Sequence, residues 1–158
     1  LIHWPDRFRP ERAPVHVRND IDILASPERV WGWLVRAPFW PTWYPNSANV
    51  ALEGGGTELG PGTRFQWKTF SVSLVSRVEE FAPFERLAWT GRAVGVDVYH
   101  AWQLSGDPAR CHVRTEESQY GAIARLDHFF RPHRMESLHQ VWLESLREKA
   151  QTGPPPTA

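Results

Sequence analysis

The stretch from Thr63 to Tyr120 leaves this chain few architectures. It holds five runs in which apolar and polar residues alternate, at 63–69, 72–81, 86–92, 94–104 and 110–120. A period of two marks a strand with one buried face, and connections this short require antiparallel pairing. A further run, 15–24, places Val15, Val17, Ile21 and Ile23 opposite His16, Arg18, Asp20 and Asp22. The last element, 133–150, has a helical period: Met135, Leu138, Trp142 and Leu146 share one face, while Glu136, Gln140, Glu144 and Arg147 share the other. Such a helix needs an apolar surface, and the concave face of the sheet is the one large enough. Between the first strand and the rest, Ser26-Pro27-Glu28 is a helix start, with Val30, Trp31, Leu34 and Val35 as its buried stripe. Pro38, Pro41 and Pro45 then restrict Phe39 to Tyr44 to a short helical turn. The order strand, helices, strands, helix is an α+β plan.

With 158 residues the chain fits one domain. Residues 1–14, with three prolines and no period, read as an extended N-terminal arm; 15–150 is the domain; 151–158 is expected to be a disordered tail. Eighteen basic residues balance eighteen acidic ones, so no net field favours nucleic acid or an anionic surface, and a ligand close to neutral is expected. The single cysteine, Cys111, can form neither an internal disulfide nor a thiolate zinc site, which predicts a reducing, cytoplasmic setting. No apolar run approaches the roughly 18 residues of a membrane helix. Nine tryptophans and eight phenylalanines demand burial, either as core filling or as the lining of a pocket, and composition leaves both open.

The segments SPERVWGWL, WPTWYPN, PGTRFQWKT, VEEFAPFERLAWTG, YHAWQL, TEESQYG and LHQVWLESLREKA, in that order, resemble the START-like (SRPBCC, helix-grip) superfamily in its polyketide cyclase/dehydrase-type branch, over residues 15–150. The resemblance implies a helix-grip fold: a curved antiparallel sheet of about six to seven strands around a long C-terminal helix, with two short helices after the first strand. It also implies a cavity for a hydrophobic or aromatic small molecule, with no metal and no organic cofactor. Three functions are compatible with it: a binding or carrier protein, a cofactor-free cyclase, dehydratase or isomerase, and a co-chaperone-like interaction domain. The oligomeric state, monomer or homodimer, stays open.

Strand parity names the residues that face such a cavity. In 94–104 the apolar face carries Val94, Val96, Val98, His100, Trp102 and Leu104; in 110–120 the inward set is Cys111, Val113, Thr115, Glu117 and Gln119. A hairpin centred on Asp107-Pro108 pairs His100 with Thr115 and makes His100 and Glu117 diagonal neighbours. A buried carboxylate needs a partner, and His100 is the nearest. The two are the candidate acid/base pair, with a self-satisfied polar pair as the ordinary alternative. Phe65, Trp67, Trp89 and Trp102 point inward by the same parity, Trp43 and Tyr44 stand at the entrance, and Met135, His139 and Trp142 project from the last helix. These residues, with Thr115, are the candidate ligand-binding set, around a partly open pocket. His100, Glu117 and His139 match a facial metal triad by residue type, but no local spacing such as HxxxH supports one, and the sequence reading is that no metal is bound.

Overall fold

The computed structural model describes residues 1–157. Seven strands form one antiparallel sheet: β1 (Val15–Ile23), β2 (Ser47–Leu52), β3 (Arg64–Thr69), β4 (Val72–Ala82), β5 (Arg86–Ala93), β6 (Val96–Asp107) and β7 (Arg110–Tyr120). Their spatial order is β1-β7-β6-β5-β4-β3-β2. Three α-helices complete the fold: α1 (Pro27–Val35), α2 (Ala122–Phe130) and α3 (Arg134–Thr152). The fold is α+β, with the long C-terminal helix α3 packed on the sheet, as in a helix grip.

The local signals explain most of these elements. Ser26 caps α1 by accepting from the Arg29 N–H, and Pro27 occupies the position where a missing donor leaves no gap. Val30, Trp31, Leu34 and Val35 are buried. The proline-punctuated stretch Ala37–Thr42 makes a 3-10 turn that drives Trp40 into the core. Asn19, inside β1, ties the sheet to α3 by donating to the Glu136 carbonyl and to Gln140 Oε1, both at 3.1 Å.

The structure corrects four details of the sequence reading. β2 and α2 lie in stretches where no element was expected. In β2 the alternation is broken by an irregularity between Ala48 and Ala51, where Asn49 has a φ of 52°. In α2 Leu126, Phe129 and Phe130 face outward, Ile123 is about half exposed and only Ala124 is buried, so no inward apolar stripe betrays the helix. Val94, expected inside, is fully exposed on the β5–β6 turn, and β6 begins at Val96. The β6–β7 register also differs: His100 lies directly opposite Glu117 rather than Thr115, and Leu104 opposite Val113. Asp107 Oδ1 accepts from the Ala109 and Arg110 N–H groups, so the loop is Pro108-Ala109 and every pair moves by two residues. A slip of two preserves the face, which is why the inward set is unchanged. Cys111, on this inward set, is buried in β7 between Ile23 of β1 and Gly106 of β6.

Residues 1–14 lie along the outer face of the sheet. Phe8 packs on Tyr99 and Tyr120, Trp4 on Tyr99 and His16, and the Tyr120 hydroxyl donates to the Arg7 and Arg12 carbonyls. Tyr99 thus points outward yet is buried. At the other end α3 continues two residues past Ala150, and the Gly153 carbonyl accepts from Trp33 Nε1; residue 158 of the expected tail lies outside the described residues. Phe8→Ala removes the anchor of the arm, and a loss of about 3 kcal/mol is expected in denaturant unfolding, with little change in slope.

On the outer face of β1 and β7, Asp20 is met by Arg18, Arg114 and His112 at 2.9, 2.8 and 3.1 Å. Partial burial raises its pKa, but these hydrogen bonds outweigh that and hold it down to about 2, against about 3.8 ordinarily. A depressed carboxylate stabilises the native state above its unfolded pKa and loses that contribution as pH falls through the native value. Acid unfolding of the wild type is therefore expected to steepen between about 3.8 and about 2, and Asp20→Asn to flatten that part of the stability–pH curve.

Candidate functional site

An aromatic belt fills the middle of the space between sheet and helix. Trp142 of α3 stacks on Tyr44 at 4.3 Å and meets Trp40, Trp102 and His100 edge-on at 5.2, 4.9 and 5.4 Å. Phe65 and Trp67 from β3 and Trp89 from β5 close around Trp40. Trp40 Nε1 donates to the Leu34 carbonyl and Trp67 Nε1 to Ser76 Oγ, while the N–H groups of Trp89, Trp102 and Trp142 have no acceptor among the described residues. Phe65, Trp102 and Tyr44 are thus fully buried wall, and Trp43 packs against Trp33. Trp142→Ala is expected to lower stability by about 3–5 kcal/mol in chemical denaturation, because the belt cannot collapse onto the space left.

Space remains on the α2 side of the belt, in two parts. The inner hollow, about 40 Å³, is lined by Trp67, Trp89, Trp142, His100, Glu117 and His139 among others. The outer chamber, about 310 Å³, lies between α2, the start of α3 and the β3–β4 turn, and Met135, Ile123, Ala124, Arg131 and Arg134 contribute to its wall. Phe70, Val72, Val96 and Gln119 line both. Two backbone features shape this region. Phe70 and Ser71 form the β3–β4 turn with φ of 50° and 64°, a conformation that is strained for a phenylalanine. Asn46 holds it by accepting from the Phe70 N–H, and the ring lies edge-on to His139. Gly95 and Gly121, both at positive φ, allow the β5–β6 turn to meet the start of α2, where the Ile123 N–H donates to the Gly95 carbonyl. A Cβ on Gly121 would lie 2.2 Å from that carbonyl oxygen.

At the floor of the inner hollow three buried polar side chains from three elements meet. Glu117 Oε2 of β7 lies 3.0 Å from His100 Nδ1 of β6 and 3.2 Å from His139 Nε2 of α3. The other carboxylate oxygen accepts from Gln119 Nε2. His100 Nε2 is 2.7 Å from Thr115 Oγ1, which is 3.4 Å from the Ala101 carbonyl. The imidazoles stack at 4.8 Å. Burial pushes the pKa of His100 down to about 3 against the attraction of Glu117, so the ring is neutral at ordinary pH. Burial alone would raise Glu117, yet its histidine and glutamine neighbours hold it down to about 2.

The residues named from the sequence divide accordingly. His100, Glu117, Thr115 and His139 come together, Trp67, Trp89 and Trp142 wall the inner hollow, and Met135 reaches the outer chamber. Trp43, Tyr44, Phe65 and Trp102 border neither. The α2 residues and Phe70 were missed, because a helix with no buried stripe and a turn with no glycine give no local signal; Gln119 was already on the inward set.

A seven-stranded antiparallel sheet with a long C-terminal helix packed on it is the helix-grip architecture. The family described as polyketide cyclase / dehydrase and lipid transport matches residues 14–151, and the chain belongs to it. A hypothetical protein from Helicobacter pylori, jhp0584, is 32% identical over 95% of this chain and 96% of its own, with a TM-score of 0.87. The Zhui aromatase/cyclase from Streptomyces sp. R1128 matches at 16% identity over 86% and 93%, with a TM-score of 0.68. Norcoclaurine synthase from Thalictrum flavum matches at 10% over 88% and 94%, with a TM-score of 0.66. The last two similarities concern the fold. No curated protein matches the chain. Among the described residues no helix is long and apolar enough to cross a membrane.

Proposed function

We propose that this protein binds a hydrophobic or aromatic small molecule in the chamber beneath α2, with the polar end of the ligand turned toward Glu117 and Gln119. One observation carries the reading: a largely apolar chamber of about 310 Å³ shares the walls Phe70, Val72, Val96 and Gln119 with the small hollow that borders the buried polar cluster. That volume is at the small end of ligand pockets and suits a compact ring system rather than a long folded chain. The rim carries Arg131 and Arg134 around Asp127. This leaves an excess of positive charge for a polar or acidic substituent.

The direction of both shifts favours binding over acid–base catalysis by His100 and Glu117. A general base works best with a pKa near the working pH, whereas both groups are shifted downward, away from neutrality. Both groups are weak bases at neutral pH.

The probe 1-anilinonaphthalene-8-sulfonate, an aromatic ring system with one acidic group, tests the reading. Saturable binding with enhanced, blue-shifted fluorescence is expected for the natively folded protein. Ala124→Trp fills the chamber from α2 and is expected to weaken binding at least about tenfold while cooperative unfolding is retained. Absent binding, or equal binding to Ala124→Trp, removes the reading. Native mass spectrometry of freshly purified protein checks for a retained compound.

A further inference from the structure

We infer that His100, Glu117 and His139 form a binding site for one divalent first-row transition-metal ion at the floor of the inner hollow. The inference adds a cation to the pocket proposed above, and it rests on that proposal only for the organic occupant of the remaining coordination positions.

The donor set is two imidazoles and one carboxylate, the set that catalytic zinc and non-haem iron(II) sites use with positions left open. One ligand atom from each residue lies within 4.8 Å of the others. Metal–ligand bonds of 2.0–2.2 Å place neighbouring donors roughly 3–3.5 Å apart. The two contacts at Glu117 Oε2, 3.0 and 3.2 Å, already have that spacing. Only the edge between the two imidazoles, up to 4.8 Å, needs to close.

His139 is the independent observation. Its ring is 1% exposed, and neither nitrogen makes a hydrogen bond. Its Nε2 is close to Glu117 but lacks hydrogen-bond alignment. A polar cluster that merely satisfied itself would not leave an imidazole with both nitrogens orphaned, because a buried polar group without a partner is destabilising. A cation at Glu117 Oε2 gives one of these nitrogens a partner.

The surroundings supply the outer hydrogen bonds that metal ligands need. Glu117 is oriented by Gln119 through the oxygen that faces neither histidine. His100 Nε2–H can donate to Thr115 Oγ1, whose hydroxyl then donates to the Ala101 carbonyl. In that arrangement His100 Nδ1 presents a lone pair to Glu117 Oε2 at 3.0 Å. A cation between those two atoms would be held by both lone pairs. The hollow borders all three ligands, so the open positions face the pocket and accept an oxygen donor, such as a carbonyl or carboxylate, from a bound organic molecule.

Cobalt(II) titrated into the chelator-stripped full chain tests the site through its visible d–d absorption. One equivalent per chain is expected. Glu117→Gln and His139→Ala should each weaken binding at least about tenfold. His112→Ala, which removes the exposed His112–Asp20–Asp22 group, should leave it unchanged. Substoichiometric binding, or binding that survives in both ligand variants, overturns the inference. If circular dichroism shows that those variants do not fold, X-ray absorption of the zinc-loaded wild type decides: two imidazoles are expected, and fewer overturn the site. Loss of cobalt binding with anilinonaphthalene sulfonate still bound removes the metal alone. The reverse result removes only the organic ligand.

Discussion

The separation between the sheet and α3 is set by interlocked rings. Trp142 inserts between Trp40, Tyr44, Trp89 and Trp102, and none of these can move without opening a void the size of an indole. This rigid belt closes the middle of the grip and confines all usable space to one end. What the fold leaves open is therefore decided by packing rather than by the polar groups. The polar cluster lies at the boundary, where the belt stops and the chamber starts.

That placement explains how three charged or polar side chains persist in an apolar interior. Glu117 is tolerable because β6 sets His100 directly across from it and α3 brings His139 down from the opposite side. The carboxylate thus lies between helix and sheet, with one oxygen facing both histidines and the other steadied by Gln119. The same site is polar enough to receive a donor atom and dry enough to make that contact strong.

Much of this was legible in the chain because strand parity survives errors of detail. A hairpin turn misplaced by one residue shifts every pair by two, so His100, Thr115, Glu117 and Gln119 stayed on the inner face although their partners changed. The capping signal of Ser26-Pro27 and the helical period ending in Leu146 were equally robust. The illegible parts are those whose conformation is imposed from outside. β2 carries an irregularity at Asn49, α2 shows most of its apolar side chains to solvent, and Phe70 adopts a positive φ held by Asn46, 24 residues earlier in the chain. How far the tryptophans would fill the grip was also beyond pattern reading. Periodicity gives direction, whereas occupancy depends on ring volumes and contacts in three dimensions.

Cys111 carries a consequence of its own. The thiol sits in the sheet interior between Ile23 and Gly106, and burial pushes its pKa up to about 11. A sulfur so shielded is inert toward alkylating reagents while the strands remain zipped. As the chain's single cysteine, it makes the molecule carry its own clock: the rate at which it becomes labelled measures how often the core over β7 opens.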